Sequence, residues 1–292
     1  MSPRESSAIG FLLVLFPLFC LGEQPVAGSE AAMSGLRGPV QSVFTEILIY
    51  KDNTKKTPVM SNRTIYDHAG YETELYEYDS RGVLRSHTVY ARDGTHLVKT
   101  ETTNAVSKQK TVQRFSSNGA ITETDTCDSK GVVTTKTAND ASARTEGSSV
   151  STTTTTDGSI STIERSADGS FKERTVKPDG TMVVHFHSRD VDWRQVTDSN
   201  NRSLEYIEEP SMGKYLRILS HYDKAGRETE NDTYDRSGKL QGETTFQYPH
   251  GDEDGNWTEQ QIWAKTDGKA AQLLQVTHRT ISYYPNPDGG EW

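Results

Sequence analysis

YDKAGRETENDTYDRSGKLQGETTFQY, residues Tyr222 to Tyr248, carries one unit twice. Each copy is an aromatic residue, Asp, two free positions and Gly, followed by alternating polar and β-prone residues. Tyr222-Asp223 leads to Gly226, and Tyr234-Asp235 leads to Gly238 twelve residues on. The same unit occurs at Tyr66-Asp67 to Gly70 and at Tyr78-Asp79 to Gly82, again twelve apart. A fixed period of this kind decides architecture before any single residue does. These tyrosines, aspartates and glycines therefore read as the parts that define a structural repeat.

Working outward, Gly70, Gly82 and Gly94 are spaced by twelve, as are Gly119 and Gly131, whereas Gly158, Gly169 and Gly180 run at eleven. Short strands joined by tight turns at such intervals predict an all-β chain. The expected form is an antiparallel meander of repeated β-hairpins, with a strand-turn period of about 11–12 residues, making a long, twisted or curled sheet. Asp-Gly or Asn-Gly at Asp93-Gly94, Asn118-Gly119, Asp157-Gly158, Asp168-Gly169 and Asp179-Gly180 favours positive φ and so predicts two-residue hairpin turns. In the Asp-x-x-Gly units the Asp side chain is expected to accept from backbone N–H groups while Gly takes the left-handed position. Strand alternation puts Tyr76 and Tyr78 on one face with Glu72 and Glu74, and Leu75 on the other.

The 292-residue chain carries a net charge of −9, which argues against nucleic acid as a partner, since binding its phosphates needs clustered Lys and Arg. Hydrophobic residues are 32% of the chain, too few for a thick core but compatible with a thin sheet. Arg4 and the apolar run Ile9 to Cys20 read as a signal peptide over 1–22, with cleavage at 22/23 or 29/30. Cys20 follows Pro17, Leu18 and Phe19, where a lipid-anchoring signal would carry small residues. Residues 23–34 read as a flexible tail, 35–284 as a single β domain and 285–292 as a C-terminal tail. No later segment is apolar enough to span a bilayer. The stretch from about 101 to 181 is rich in Thr and Ser; Thr favours strands, and the turns persist, so exposed strands are expected there. Cys127 stands where the repeat elsewhere has Tyr, and reads as a small apolar substitute rather than a nucleophile.

Several groups invite a chemical reading. His185 and His187 lie two apart on a predicted strand and share a face, without a third metal ligand in the pattern. Glu228, Glu230 and Asp232 are placed on one strand face, and paired carboxylates can hydrolyse glycosides at a suitable separation. Gly251 to Asn256 is an acidic turn without calcium-loop spacing. No metal site, cofactor or catalytic residue is expected from these patterns. Trp193 and Trp263 fall off the period, as does Trp292, and Trp257 lies in the insertion between Tyr248 and Trp263. Trp193, Trp257 and Trp263 are the candidate binding residues.

The Tyr-Asp-x-x-Gly units, the segment Asp254-Gly255-Asn256-Trp257-Thr258, the terminal Arg279-Thr280-Ile281-Ser282-Tyr283-Tyr284 and the opening Gly35-Leu36-Arg37-Gly38-Pro39-Val40 together resemble the Rhs/YD-repeat proteins of bacteria. More narrowly, they resemble short exported bacterial proteins with degenerate copies of the repeat. In large members, the resemblance implies, the repeats form a β-ribbon that spirals into a shell around a toxic C-terminal domain. This chain is too short for a large shell, and only Pro285 to Trp292 follow Tyr284. The expectation is a secreted or periplasmic, or outer-surface, non-catalytic repeat protein that binds an envelope protein or glycan, or has a structural role there. A carbohydrate-active enzyme using sheet-face carboxylates and a component of an Rhs-like toxin system are the alternatives.

Overall fold

The computed structural model describes residues 29–51, 55–117, 119–138, 148–211, 214–266 and 269–285. The expected signal peptide, its cleavage at 22/23, Asn118 and the end of the C-terminal tail lie outside these residues. The protein is a 19-stranded antiparallel meander with one short helix. After α1 (Glu30–Met33) come β1 (Val40–Lys51), β2 (Lys55–Tyr66), β3 (Glu72–Asp79), β4 (Leu84–Asp93), β5 (His96–Asn104), β6 (Lys110–Phe115), β7 (Ile121–Cys127) and β8 (Val133–Ala138). Then follow β9 (Ser149–Thr154), β10 (Ile160–Arg165), β11 (Phe171–Val176), β12 (Met182–His187), β13 (Val191–Thr197) and β14 (Ser203–Pro210). The last are β15 (Leu216–Tyr222), β16 (Glu228–Tyr234), β17 (Leu240–Gly251), β18 (Trp257–Thr266) and β19 (Gln272–Tyr283). No helix among the described residues is long and apolar enough to cross a membrane.

Strands pair with their sequence neighbours, and β19 returns to pair antiparallel with β1, so the seam of the sheet joins the two ends of the domain. No pairing joins β8 to β9 among the described residues, and the sheet is not closed. Counting antiparallel steps outward from β1, β8 and β9 run in the same direction, so a simple hairpin could not close the gap. Both edge strands are fully exposed, as the Thr-rich composition implies.

Eleven reversals among the described residues share one geometry. In each, the first residue's N–H donates to the carbonyl of the fifth, and the fourth's N–H donates back to the first; Asp67/Gly70/Tyr71 and Ser166/Gly169/Ser170 are examples. The fourth residue is left-handed: Gly70 has φ 82°, Gly169 has φ 86°, and Asn201 takes the role with φ 61°. These are three-residue loops ending in a left-handed bulge, which corrects the expected two-residue turns at Asp157-Gly158, Asp168-Gly169 and Asp179-Gly180. The aspartates there have no positive φ; their carboxylates instead accept from the N–H of Ser159, Ser170 and Thr181. A two-residue turn occurs at Gly94-Thr95, between paired Asp93 and His96. The Asp-x-x-Gly expectation holds: Asp67 Oδ1 accepts from Ala69 at 2.9 Å and Tyr71 at 3.0 Å, and Asp79, Asp223 and Asp235 repeat the arrangement.

The two repeat lengths have a structural cause. After the turn at Asp67, Ile65 pairs with Glu74 and Tyr66 with Glu72, leaving Thr73 as an extra residue. After Ser166 the pairs Glu164–Lys172 and Arg165–Phe171 leave none. The twelfth residue is thus a β-bulge, and the hydroxyls of Thr73, Thr122 and Thr134 each donate to the facing carbonyl of Ile65, Arg114 and Thr126.

At the end of the sheet where the chain enters and leaves, here the near end, turns crowd together. A Cβ on Gly180 would lie 2.7 Å from Ser199 Cβ, and one on Gly226 3.2 Å from Arg202, whereas Gly82, Gly131, Gly169 and Gly238 at the far end face open space, as do Gly94 and Gly119 at the near end away from the crowded turns. The near end is also plugged. Residues 29–34, expected as tail, form one helical turn capped by Ser29, because Ala31 donates to the Gly70 carbonyl and buries its methyl. Ala31, Leu36, Val40, Val43 and Tyr66 make the small core, with Ile281 and Tyr283 against them. Asn256, 2% exposed, locks the seam: its Oδ1 accepts from Arg37 N–H at 2.6 Å, and its Nδ2 donates to Arg37 O at 3.0 Å and to Tyr283 Oη at 2.7 Å.

Gly180→Ala and Gly169→Ala both force a side chain into the left-handed region, at about 1–2 kcal/mol each. Gly180→Ala is expected to lower the urea-unfolding midpoint distinctly further, because its methyl meets Ser199; equal losses would mean the near-end turns are not packed together.

Candidate functional site: the inner face at the plugged end

The two faces of the sheet carry different chemistry. One cross-strand row runs Val43, Thr64, Leu75, Thr88, Thr102, Thr111, Thr126 and Thr135. The opposite row runs Phe44, Arg63, Tyr76, His87, Thr103 and Lys110. On the first face the core residues Val43 and Ile281 pack beneath α1, and burial shifts its ionisable groups. Apart from α1 and the adjoining segment, no second layer covers this face among the described residues. Its desolvation therefore comes from the sheet curling around it, and it is the inner face.

Ion pairs dominate the outer face. Glu101 meets Lys99 at 2.9 Å and Lys110 at 2.5 Å, Arg114 meets Asp125 at 2.8 Å and Glu123, and Arg217 meets Glu205 at 2.8 Å. Glu74 accepts from Tyr76 at 2.5 Å, confirming their shared face, and lies 2.8 Å from His87, whose ring stacks on Tyr76; Glu72, expected on that face too, is turned to the inner one by the bulge at Thr73. Such exposed pairs contribute about 0–1 kcal/mol each and specify register more than stability. His185 and His187 share a face as expected, both bonded to Asp192, at 2.9 and 2.8 Å.

The carboxylate run on β16 is split. Glu230 and Asp232 face outward with His221, ligand atoms of all three lying within 4.8 Å of one another. Burial raises Glu230, and Asp232 and Glu243 beside it raise it further. Glu228 does not join them. A bulge at His221/Tyr222 turns it to the other face, where Asn231 and Ser220 hydrogen-bond to it. The predicted single-faced set of Glu228, Glu230 and Asp232 is therefore corrected; the register slip beside the turn is invisible to simple alternation. The acidic turn at Gly251 to Asn256 is another copy of the repeat turn, with Asp252 accepting from Asn256 N–H at 2.8 Å and from the Tyr283 hydroxyl.

The repeat tyrosines divide by end. Tyr66 and Tyr222, which precede near-end turns, point inward; Tyr78 and Tyr234, which precede far-end turns, point outward. Tyr222 donates to the Ser203 carbonyl at 2.8 Å and lies under the Arg202 guanidinium. Tyr248 repeats this, donating to Glu228 O at 2.9 Å beneath Arg227. Tyr78 lies against Phe44, and Tyr234 donates to Asp232 at 3.0 Å. Buried Cys127 occupies the corresponding place before a far-end turn.

Inside the near end, burial pushes Tyr66 up to about 12, with Glu72 adding to it, and Tyr222 up to about 12, with Glu228 adding. Burial likewise raises Tyr90, Tyr248 and Glu228. Trp257 lies in this wall with Arg279 stacked 3.5 Å from its ring centroid. Burial lowers Arg279 to about 10. Trp193 is also inward, stacked with Phe186 at 5.8 Å and beside Tyr206. It lies five strands from Trp257, about 24 Å along the sheet, near the other end. Trp263 donates to Gln261 at 3.3 Å on the outer face. The three candidate tryptophans thus do not form one site. Arg279 was missed by the sequence reading, which saw it only as part of a terminal motif; its burial depends on the seam.

No protein-family model matches the chain, and no curated protein matches it. Among solved structures, a porin-like protein from Bacteroides uniformis aligns with TM-score 0.38 and 12% identity, covering 84% of this chain and 99% of that one. An outer membrane lipoprotein-sorting protein domain from Vibrio parahaemolyticus aligns with TM-score 0.30 and 12% identity, over 89% and 92%. A LolA superfamily protein from Nitrosomonas europaea aligns with TM-score 0.25 and 8% identity, over 90% and 96%. At these scores the likenesses carry no argument about function.

Acid should weaken the sheet. Hydrogen bonds from Lys110 and then Lys99 hold Glu101 down to about 2, and the Val83 N–H holds Asp79 well below the carboxylate range. A carboxylate lowered in the folded state stabilises above its unfolded value of about 4, and that contribution is lost as pH falls through the folded value. Buried Glu72 and Glu228 act with the opposite sign. The lowered groups are more numerous, so the urea midpoint is expected to fall between about pH 4 and pH 2. Replacing Lys110 and Lys99 by Met should flatten part of the fall; a midpoint that rises on acidification contradicts this balance.

Proposed function

We propose that this chain is an exported, non-catalytic binding protein of the bacterial envelope, in which YD-type repeats build an open curled sheet and the inner face is the binding surface. The observation that carries the reading is the inner wall. Tyr66, Tyr90, Tyr222, Tyr248 and Trp257 line its plugged end, and Trp193 and Tyr206 extend the aromatic surface toward the other. Aromatic rings with polar handles suit glycans and peptide segments, since they offer apolar area and hydrogen bonds together. The partner is an envelope glycan or protein, and export rests on Arg4 and the apolar run that follows it. Trp257 and Trp193 serve as anchors, whereas Trp263 lies outside the surface. The splitting of Glu228 from Glu230 and Asp232 supports the non-catalytic reading, because the hydrolytic set is not assembled.

The test is co-sedimentation of the purified protein with insoluble envelope polysaccharide, and capture on lipopolysaccharide, with released reducing ends assayed in parallel. Retention on one of the two, weakened roughly tenfold or more in Trp257→Ala, with no sugar release, is expected. Sugar release that disappears in Glu230→Gln would replace this reading with a hydrolase.

A further inference from the structure

Of the other arginines over aromatic rings among the described residues, all but the exposed Arg165 over Phe171 keep a carboxylate. Arg202 has Asp198 at 2.5 Å, Arg227 has Asp223 at 2.8 Å, Arg217 has Glu205 at 2.8 Å, and Arg92 has Glu30. Arg279 departs from that rule. It lies on the inner wall at the plugged end, 3.5 Å from the Trp257 ring centroid, and its Nε is buried with no protein acceptor in reach. The charged or ionisable side chains that influence it among the described residues are Tyr66 and Tyr248, not an Asp or Glu. Neither tyrosine substitutes for a carboxylate. Tyr248 already donates to Glu228 O and accepts from Gln260 Nε2 at 3.0 Å, and both hydroxyls stay protonated at neutral pH.

A half-buried guanidinium without a counter-charge is costly, and one partner of a pair left alone costs more than the pair is worth. Stacking on an indole holds the guanidinium plane but uses only its face; the N–H edges remain directed in the plane, in the fork that matches an oxyanion. We propose that Arg279, held by Trp257 beside Tyr66 and Tyr248, is the recognition point for an oxyanion, a carboxylate or phosphoryl group, on a ligand whose apolar or ring portion lies along the inner aromatic wall. This deepens the reading of the inner face as a binding surface and rests on it. It adds the charge the ligand must carry.

The experiment uses the purified protein and small probes, so it does not depend on finding the envelope partner. Tryptophan fluorescence is titrated with benzoate, with phenyl phosphate, with inorganic phosphate and with neutral benzyl alcohol. The expected result is that benzoate or phenyl phosphate binds at least roughly tenfold tighter than benzyl alcohol, and that Arg279→Met removes this preference. A preference for phenyl phosphate over benzoate assigns a phosphoryl ligand and the reverse a carboxylate; inorganic phosphate binding equally well would show that the ring portion adds nothing. Thermal unfolding supplies the control. With an unpaired half-buried charge removed, Arg279→Met should be no less stable than the parent without probe, and should lose the stabilisation by probe. Arg279→Lys keeps the charge but loses the fork, and should bind more weakly than the parent. Equal binding of charged and neutral probes by the parent overturns the proposal, as does an Arg279→Met variant that is destabilised yet binds unchanged.

Discussion

The structure depends on the seam in which β1 pairs with β19 on one side and β2 on the other. A chain with this little apolar content cannot stabilise nineteen strands by a thick core, so the ladder needs one place where core, hydrogen bonds and chain ends coincide. Asn256 supplies the hydrogen bonds, tying Arg37 of the entering chain to Tyr283 of the departing one. Ala31, Leu36 and Tyr66 supply the buried surface beside it. Away from the seam each strand is held mainly by its two neighbours; Val112, Asp125 and Cys127 are still buried on β6 and β7, but β8 and β9 are wholly exposed.

The turns translate this thin ladder into curvature. Each repeat turn places one residue in the left-handed region, and each twelve-residue unit adds a bulge that increases local twist. Several near-end turns touch one another, and α1 sits at that end as a plug. The consequence for function is a sheet with two unlike surfaces. The outer one is laced with ion pairs, whereas the inner one keeps aromatic rings and a guanidinium without a carboxylate.

Much of the fold was legible in the sequence because turns are local. Asp67, Asp79, Asp223 and Asp235 announce their hydrogen bonds by spacing alone, and Gly70, Gly82, Gly226 and Gly238 their backbone. The Thr-rich middle was readable as strand because Thr propensity and the turns agreed, and its described part runs from the end of β5 to β11. What was not legible depends on register. A single extra residue such as Thr73 looks the same in sequence as any other strand residue, yet it decides which face follows, and so Glu228 was assigned to the wrong side. The docking of residues 29–34 depends on Gly70, about forty residues away, and carries no local pattern. Arg279 needs the whole seam before its isolation from carboxylates can be seen.

Hydrogen–deuterium exchange resolved by strand tests the central claim most directly, because opening free energy tracks local burial and pairing. The slowest exchange is expected in β1, β2 and β19 and the fastest strand exchange in β8 and β9. Protection of β8 and β9 equal to that of the seam, or a seam that exchanges as fast as the edges, would contradict it.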